Sequence, residues 1–277
     1  MIDRQLSSIE LVERDADFIK RWLVDTTTLI EQHVHPEGPP DMLCITAIAV
    51  SGNYCRAIFE LLRLNHHMPV KALLRVLCEL SSKLAWCLVT PKDRGKSKDS
   101  SVDKKILQWE KNSLFKKLNI MEEFRYIVPE EQRQQLEKSI EDTKRRIRQI
   151  HCSPMPRTIE IFYKLSKSWR AGVYTRGYLQ FNDSVHIDLG TLASTISKQG
   201  DQININLDTA EDLTQLSGYC VSFMYQIIYL VRSNFGWDTN QLSDDLHTLS
   251  ADHSPALQNG LQLTDYHRSI FGKPDEN

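Results

Sequence analysis

An all-α fold is predicted by three features of this sequence. Apolar residues recur at helical spacing in one segment after another. Eleven glycines and ten prolines in 277 residues are too few for a turn-rich β fold. Only Gln202–Leu207 alternates apolar and polar residues, so no more than one short extended segment is expected. The architecture that follows is an irregular multi-helix bundle with a projecting helical hairpin arm.

Taken in order, Ile9, Val12, Ile19, Trp22, Leu23, Leu29 and Ile30 predict a first amphipathic helix over Ser7–His33. The Pro/Gly-rich segment His35–Pro40 ends it. Asp41 is the expected N-cap of a second helix, Met42–Asn65, whose Ala47, Ser51, Gly52, Cys55 and Ala57 suit close packing. Pro69 opens a third, Pro69–Val89, apolar over most of its circumference. Lys92–Ser101 carries no apolar residue and reads as a linker. A helix follows over Val102–Leu118. The next, Pro129–Ile150, has a narrow apolar stripe of Leu136, Ile140, Ile147 and Ile150 with Thr143 in its middle. Such a stripe suits a hairpin arm, or a seam for a protein partner or a second copy. Ser153–Pro156 breaks the arm, Arg157–Trp169 returns to the body, and Ile187–Ser197 continues helically. Asp208 caps a long helix over Ala210–Phe235, with Gly236 just past its end. Short amphipathic pieces surround Leu246 and Leu261. The organisation expected is a core in two parts (1–90 and 156–237), a charged arm (91–155) and an acidic tail (238–277).

Composition narrows the function classes. With 41% apolar and 25% charged residues the chain has the make-up of an ordinary soluble protein, and a net charge of −2 gives no global field for nucleic acid. Charge is nonetheless uneven: Lys92–Lys117 holds nine bases against four acids, and Asp238–Asn277 seven acids against two bases. With Trp109 and Phe115 interleaved, Lys92–Lys117 is the segment that would contact an RNA backbone. Met1–Asp17 is polar and acidic, unlike a secretory leader. No window reaches the roughly 18 apolar residues of a membrane span. The best, Tyr219–Val231, is interrupted by Ser222 and Gln226. Six cysteines without a Cys-x-x-Cys pair read as reduced, buried thiols. A cytoplasmic location without membrane attachment is expected.

The candidate site begins with Arg75 and Glu79, one turn apart inside the apolar third helix. Buried charges cost several kcal/mol unless paired, so these two need partners from elsewhere. The richest supply is Tyr174–His186, with Tyr174, Tyr178, Asn182, Asp183, Ser184 and His186. The two segments are therefore expected to touch, as a polar cluster fixing the helix crossing or as an active or ligand site. In a catalytic reading His186 is the base and Arg75 the charge stabiliser. Glu79 orients Arg75, and Tyr178 or Ser184 binds substrate.

Arg75-x3-Glu79 on an apolar helix, a mid-chain Trp109 or Trp169, Tyr174-x3-Tyr178 and Ser184-x-His186 together resemble a bacterial family of unknown function, DUF5677, over Ala47–Ser197. The resemblance implies a helical fold and a polar centre, with no established reaction. Its helical build and Arg/His character are comparable, by fold-level analogy, with the HEPN ribonucleases. Their Arg-then-His motif finds a weak match in Arg145 or Arg146 before His151. Asp183-x2-His186-x-Asp188 offers too few ligands to define a metal site, and no cofactor is implied. Phosphate loops, nucleophile elbows and dinucleotide fingerprints are absent from the sequence. The function expected is that of a helical interaction or regulatory protein, suited to a bacterial defence or stress system. The alternatives are a metal-independent ribonuclease or toxin and a small-ligand sensor.

Overall fold

A computed structural model describes residues 7–88, 102–165, 178, 181, 196–199, 202–205 and 213–250. The fold is all-α, as predicted, with one small hairpin of strands. The chain divides into two compact units, Met1–Val89 with Thr158–Asn277, and Thr90–Arg157.

The first unit is built on α1 (Ser8–His33), α2 (Pro39–Arg63), α3 (His67–Leu88), α6 (Thr158–Leu165), α7 (Leu213–Asn234) and α8 (Asn240–Ser250). Its centre is α7, in which every residue from Leu216 to Arg232 is buried. No Lys, Arg, Asp or Glu precedes Arg232 in that helix, and a helix apolar all round must be enclosed. It is enclosed by α1, α2 and α3, which all pack on it.

Local chemistry sets the helix ends. Ser7 and Glu10 form a reciprocal capping box at the start of α1. The second helix begins earlier than its Asp41 cap predicted, with Gly38 as N-cap and Pro39 and Pro40 in its first turn. First-turn positions need no N–H, so the prolines extend this helix where they were read as ending a loop. Asp41 instead accepts a hydrogen bond from the Glu37 amide at 3.0 Å. Between α2 and α3, Asn65 takes a φ of 59°, while the His66 amide reaches Leu61 O at 2.9 Å and the Asn65 amide reaches Leu62 O at 3.0 Å. That pair of bonds is a Schellman cap, with asparagine in the left-handed position. Gly236 (φ 71°) closes α7 in the same way.

Among the described residues, α2 is the one helix long and apolar enough to cross a membrane, which corrects the ranking of Tyr219–Val231. It packs on α1, α3 and α7 through Cys44, Ile48, Cys55, Ile58 and Leu62, so its apolarity also serves the core.

Strands β1 (Ile196–Gln199) and β2 (Gln202–Ile205) pair antiparallel, with Ile196 opposite Ile205 and Gln199 opposite Gln202. The alternating segment is thus a strand. Its partner overturns the helical reading of Ile196 and Ser197, because pairing with an alternating neighbour outweighs weak local propensity.

The second unit is a helical hairpin of α4 (Val102–Phe124) and α5 (Glu130–Gln149), packed against each other. The α4 helix runs beyond the predicted Leu118, carrying Ile120 and Phe124 into solvent. The α5 stripe is enclosed: Ile140, Thr143 and Ile150 are buried and Leu136 and Ile147 half-buried. Of the two readings of this stripe, the hairpin arm is the one formed here. A stripe occupied inside its own hairpin offers little to a partner or a second copy. Two ion pairs, Arg146 with Glu110 at 2.8 Å and Lys144 with Glu122 at 2.8 Å, tie the two helices. Lys111 Nζ caps the end of α5 by donating to Ile150 O and Cys152 O at 2.9 and 2.7 Å.

The Lys92–Ser101 linker, the Asp208 cap, residues 187–195 and the piece around Leu261 lie outside the described residues. The piece around Leu246 is α8, which buries Leu242, Leu246 and Leu249.

Candidate functional site

Arg75 and Glu79 occupy one face of α3, and Tyr178 meets them there. Arg75 Nη2 donates to the Tyr178 hydroxyl at 3.0 Å, and the guanidinium carbon lies 4.8 Å from the ring centroid. One cation thus makes a hydrogen bond and a cation–π contact with the same side chain, the latter worth about 0.5–2 kcal/mol. Arg75 Nε lies 3.5 Å from Glu79 Oε1, while Glu79 Oε2 accepts from Lys83 Nζ at 3.0 Å. The side chains of Arg75, Glu79 and Lys83 are 14%, 26% and 18% exposed. Arg75 Nη1 is enclosed and has no acceptor among the described residues.

Tyr178 and Phe181 each pack on a helix of the first unit. The Tyr178 ring packs on Phe162 of α6 with centroids 5.5 Å apart, and α6 itself packs on α3. Three residues on, the fully buried Phe181 stands edge-on to Tyr219 of α7, at 5.1 Å and 88°. The predicted meeting of the two segments therefore occurs through Arg75 and Tyr178, with Glu79 beside Arg75 on α3. Ser184 and His186, together with Tyr174, Asn182 and Asp183, lie outside the described residues, as does Trp169.

Of the weaker candidates, some are engaged within the hairpin and others are exposed. Arg146 holds Glu110 through two nitrogens, at 2.8 and 3.1 Å, and that carboxylate raises the guanidinium pKa. His151 is exposed beyond the end of α5. In the basic run, Lys105 is buried and Lys111 is engaged at the α5 terminus, while Lys116 and Lys117 are exposed. No cluster of metal-ligating side chains occurs among the described residues.

A second polar centre, not picked out from the sequence, joins α1 to α7. Ser217 Oγ donates a short hydrogen bond to the fully buried carboxylate of Asp15, which also has Arg14 Nη2 at 3.6 Å. Further along, Arg232 Nε donates to the buried Thr26 hydroxyl at 3.0 Å. Burial lowers the Arg232 pKa, against the opposing pull of Asp25, Asp238 and Asp245. Between these contacts Trp22 meets Tyr225 edge-on at 6.1 Å. The paired residues rise together along both helices, so α1 and α7 run parallel. A signal was present: Val12, Asp15, Ile19, Trp22 and Thr26 share one helical face, and two of the five are polar.

Fold and site together define a helical protein with polar contacts among its core elements, Arg75 to Tyr178 and Asp15 to Ser217. The chain belongs to a family of unknown function, DUF5677, whose model matches residues 41–203. That span takes in Arg75, Glu79, Tyr178, Ser184, His186 and the whole hairpin unit. No curated protein and no solved structure matches the chain.

Proposed function

We propose that this chain is a helical interaction or regulatory protein of the cytoplasm, whose Thr90–Arg157 unit is the element offered to a protein partner. One observation carries this reading. At the hairpin tip Ile120, Phe124, Tyr126 and Ile127 are 54%, 48%, 86% and 73% exposed. Clustered large apolar side chains in water mark interaction surfaces. Six free cysteines, five of them buried, are in keeping with a reducing compartment. A role in a bacterial defence or stress system fits a protein of this kind. The test places a photo-crosslinking amino acid at Tyr126 and irradiates expressing cells. A covalent adduct with protein supports the reading; only uncrosslinked chain, or an adduct with RNA alone, sinks it.

A metal-independent ribonuclease or toxin is the alternative, favoured by Arg75 Nη1, which has no acceptor among the described residues and is a donor that a phosphate oxygen would complete. Arg75 then stabilises charge, Glu79 orients it, Tyr178 or Ser184 contacts substrate and His186 acts as base. A sensor of a small oxyanion would use the same nitrogen. Expression of His186→Ala beside the unaltered chain, scored for growth arrest and RNA integrity, decides the ribonuclease reading. Identical behaviour of the two removes it.

A further inference from the structure

The exposed side of α4 is ordered along its length. At 100° per residue, Ser113, Lys116, Lys117, Ile120 and Phe124 fall within one stripe, and Ile127 continues it into the turn. All six are exposed, and so is Glu123, on the same flank of the stripe as Lys116. Neighbouring charges are tied inside the hairpin, Arg125 to Glu137 and Glu122 to Lys144. The side chains of Lys116, Lys117 and Glu123 make no hydrogen bond or ion pair among the described residues. The stripe therefore has an apolar middle, a basic N-terminal end and an acidic residue toward its C-terminal end, none of it neutralised among the described residues.

We propose that this stripe is a self-association surface, on which α4 of one chain packs antiparallel against α4 of a second copy. The partner follows from the charge pattern. A two-fold axis at the level of Ile120 brings Ile120 against Ile120. It sets Lys116 of each copy opposite Glu123 of the other, because both lie on one flank and seven residues apart. Phe124 lies across the Lys116–Lys117 stems, and Ile127 across the small Ser113. The parallel alternative places Lys116 against Lys116 and Glu123 against Glu123, which like-charge repulsion disfavours. Side chains of these sizes suit helix axes about 8–10 Å apart. The arrangement covers the apolar middle and forms two equivalent ion pairs with one surface.

This inference rests on reading the hairpin as the interaction element, and it names the occupant. The test is sedimentation velocity with the full chain. The expected species has twice the 32.1 kDa chain mass. Lys116→Glu alone and Glu123→Lys alone each put like charges across the axis twice, so both should weaken dimerisation at least about tenfold. The double variant Lys116→Glu/Glu123→Lys restores opposite charges and should recover the dimer, which also shows that the single variants had not merely unfolded. Ile120→Asp should be monomeric. A monomeric unaltered chain, single variants that still dimerise, or a double variant that stays apart would each overturn the proposal. A monomeric chain that still crosslinks to another protein through position 126 would leave the proposed function standing while this inference fails.

Discussion

Arg75 Nη2 and the Tyr178 hydroxyl stand 3.0 Å apart, joining α3 to a residue 103 positions later in the chain. Tyr178→Phe keeps the ring beside the guanidinium and removes the hydroxyl that accepts from Arg75, so it should cost about 1–2 kcal/mol. Arg75→Met removes the hydrogen bond and the cation–π contact together and should cost more. Because the two changes delete one shared interaction, the double variant should lose about 1 kcal/mol less than the sum of the singles. Urea denaturation measures all three, and strict additivity would show that the pair contributes nothing.

The buried carboxylate of Asp15 poses a different demand. Asp15→Ala strands the Ser217 hydroxyl in the core and is expected to destabilise by about 2–4 kcal/mol. Asp15→Asn retains an acceptor oxygen and should cost distinctly less. Equal losses in chemical denaturation would mean that the hydrogen bond from Ser217 is not what holds this position.

Gln226 should behave in the opposite sense. It is fully buried in α7; among the described residues its Oε1 has no donor and its Nε2 makes only a long bond of 3.4 Å to Ser222 Oγ. An enclosed amide oxygen without a donor costs about 1–3 kcal/mol. Gln226→Met, of similar length, should therefore leave the thermal midpoint unchanged or raise it. A fall of several degrees would mean that the amide has a role the geometry does not account for.

Thiol reactivity should separate the cysteines. Burial pushes the Cys44 thiol up to about 12 and the Cys78 and Cys220 thiols well above the ordinary range. Cys152 alone among the six is not buried. Thiolate is the reactive form, so the native chain at pH 8 should react rapidly with Ellman's reagent at one site. Cys152→Ser should abolish that phase, with the other thiols appearing on denaturation. A rapid phase surviving the substitution would refute the assignment.

What the sequence made legible was periodicity. The α1 and α5 boundaries were read to within a residue because each has a regular apolar stripe and polar flanks. The Arg75–Tyr178 contact was legible for a different reason: a charge inside an apolar helix demands a partner, and few segments held one. Asp15–Ser217 escaped because both residues are small, and each looks like tolerable noise within its own helix. The α5 stripe shows a further limit. Its 3–4 spacing says that something covers Leu136–Ile150, and α4 does so from within the same hairpin. Ile120 and Phe124 of α4 were passed over because their exposure depends on where that helix ends, which its last polar residues do not mark.

The place of α7 in the chain has a consequence for how the protein is made. The helix on which α1, α2 and α3 all pack is translated long after them, with the entire hairpin unit in between. At ordinary translation speeds that interval is on the order of ten seconds. During it the first three helices have left the ribosome with their inward faces, including Val12, Ile58, Leu74 and Leu77, still lacking α7. Apolar surface left uncovered for that long is what makes a folding intermediate prone to aggregate. A chain truncated before Leu213 would remain in the same exposed state, a substrate for proteolysis.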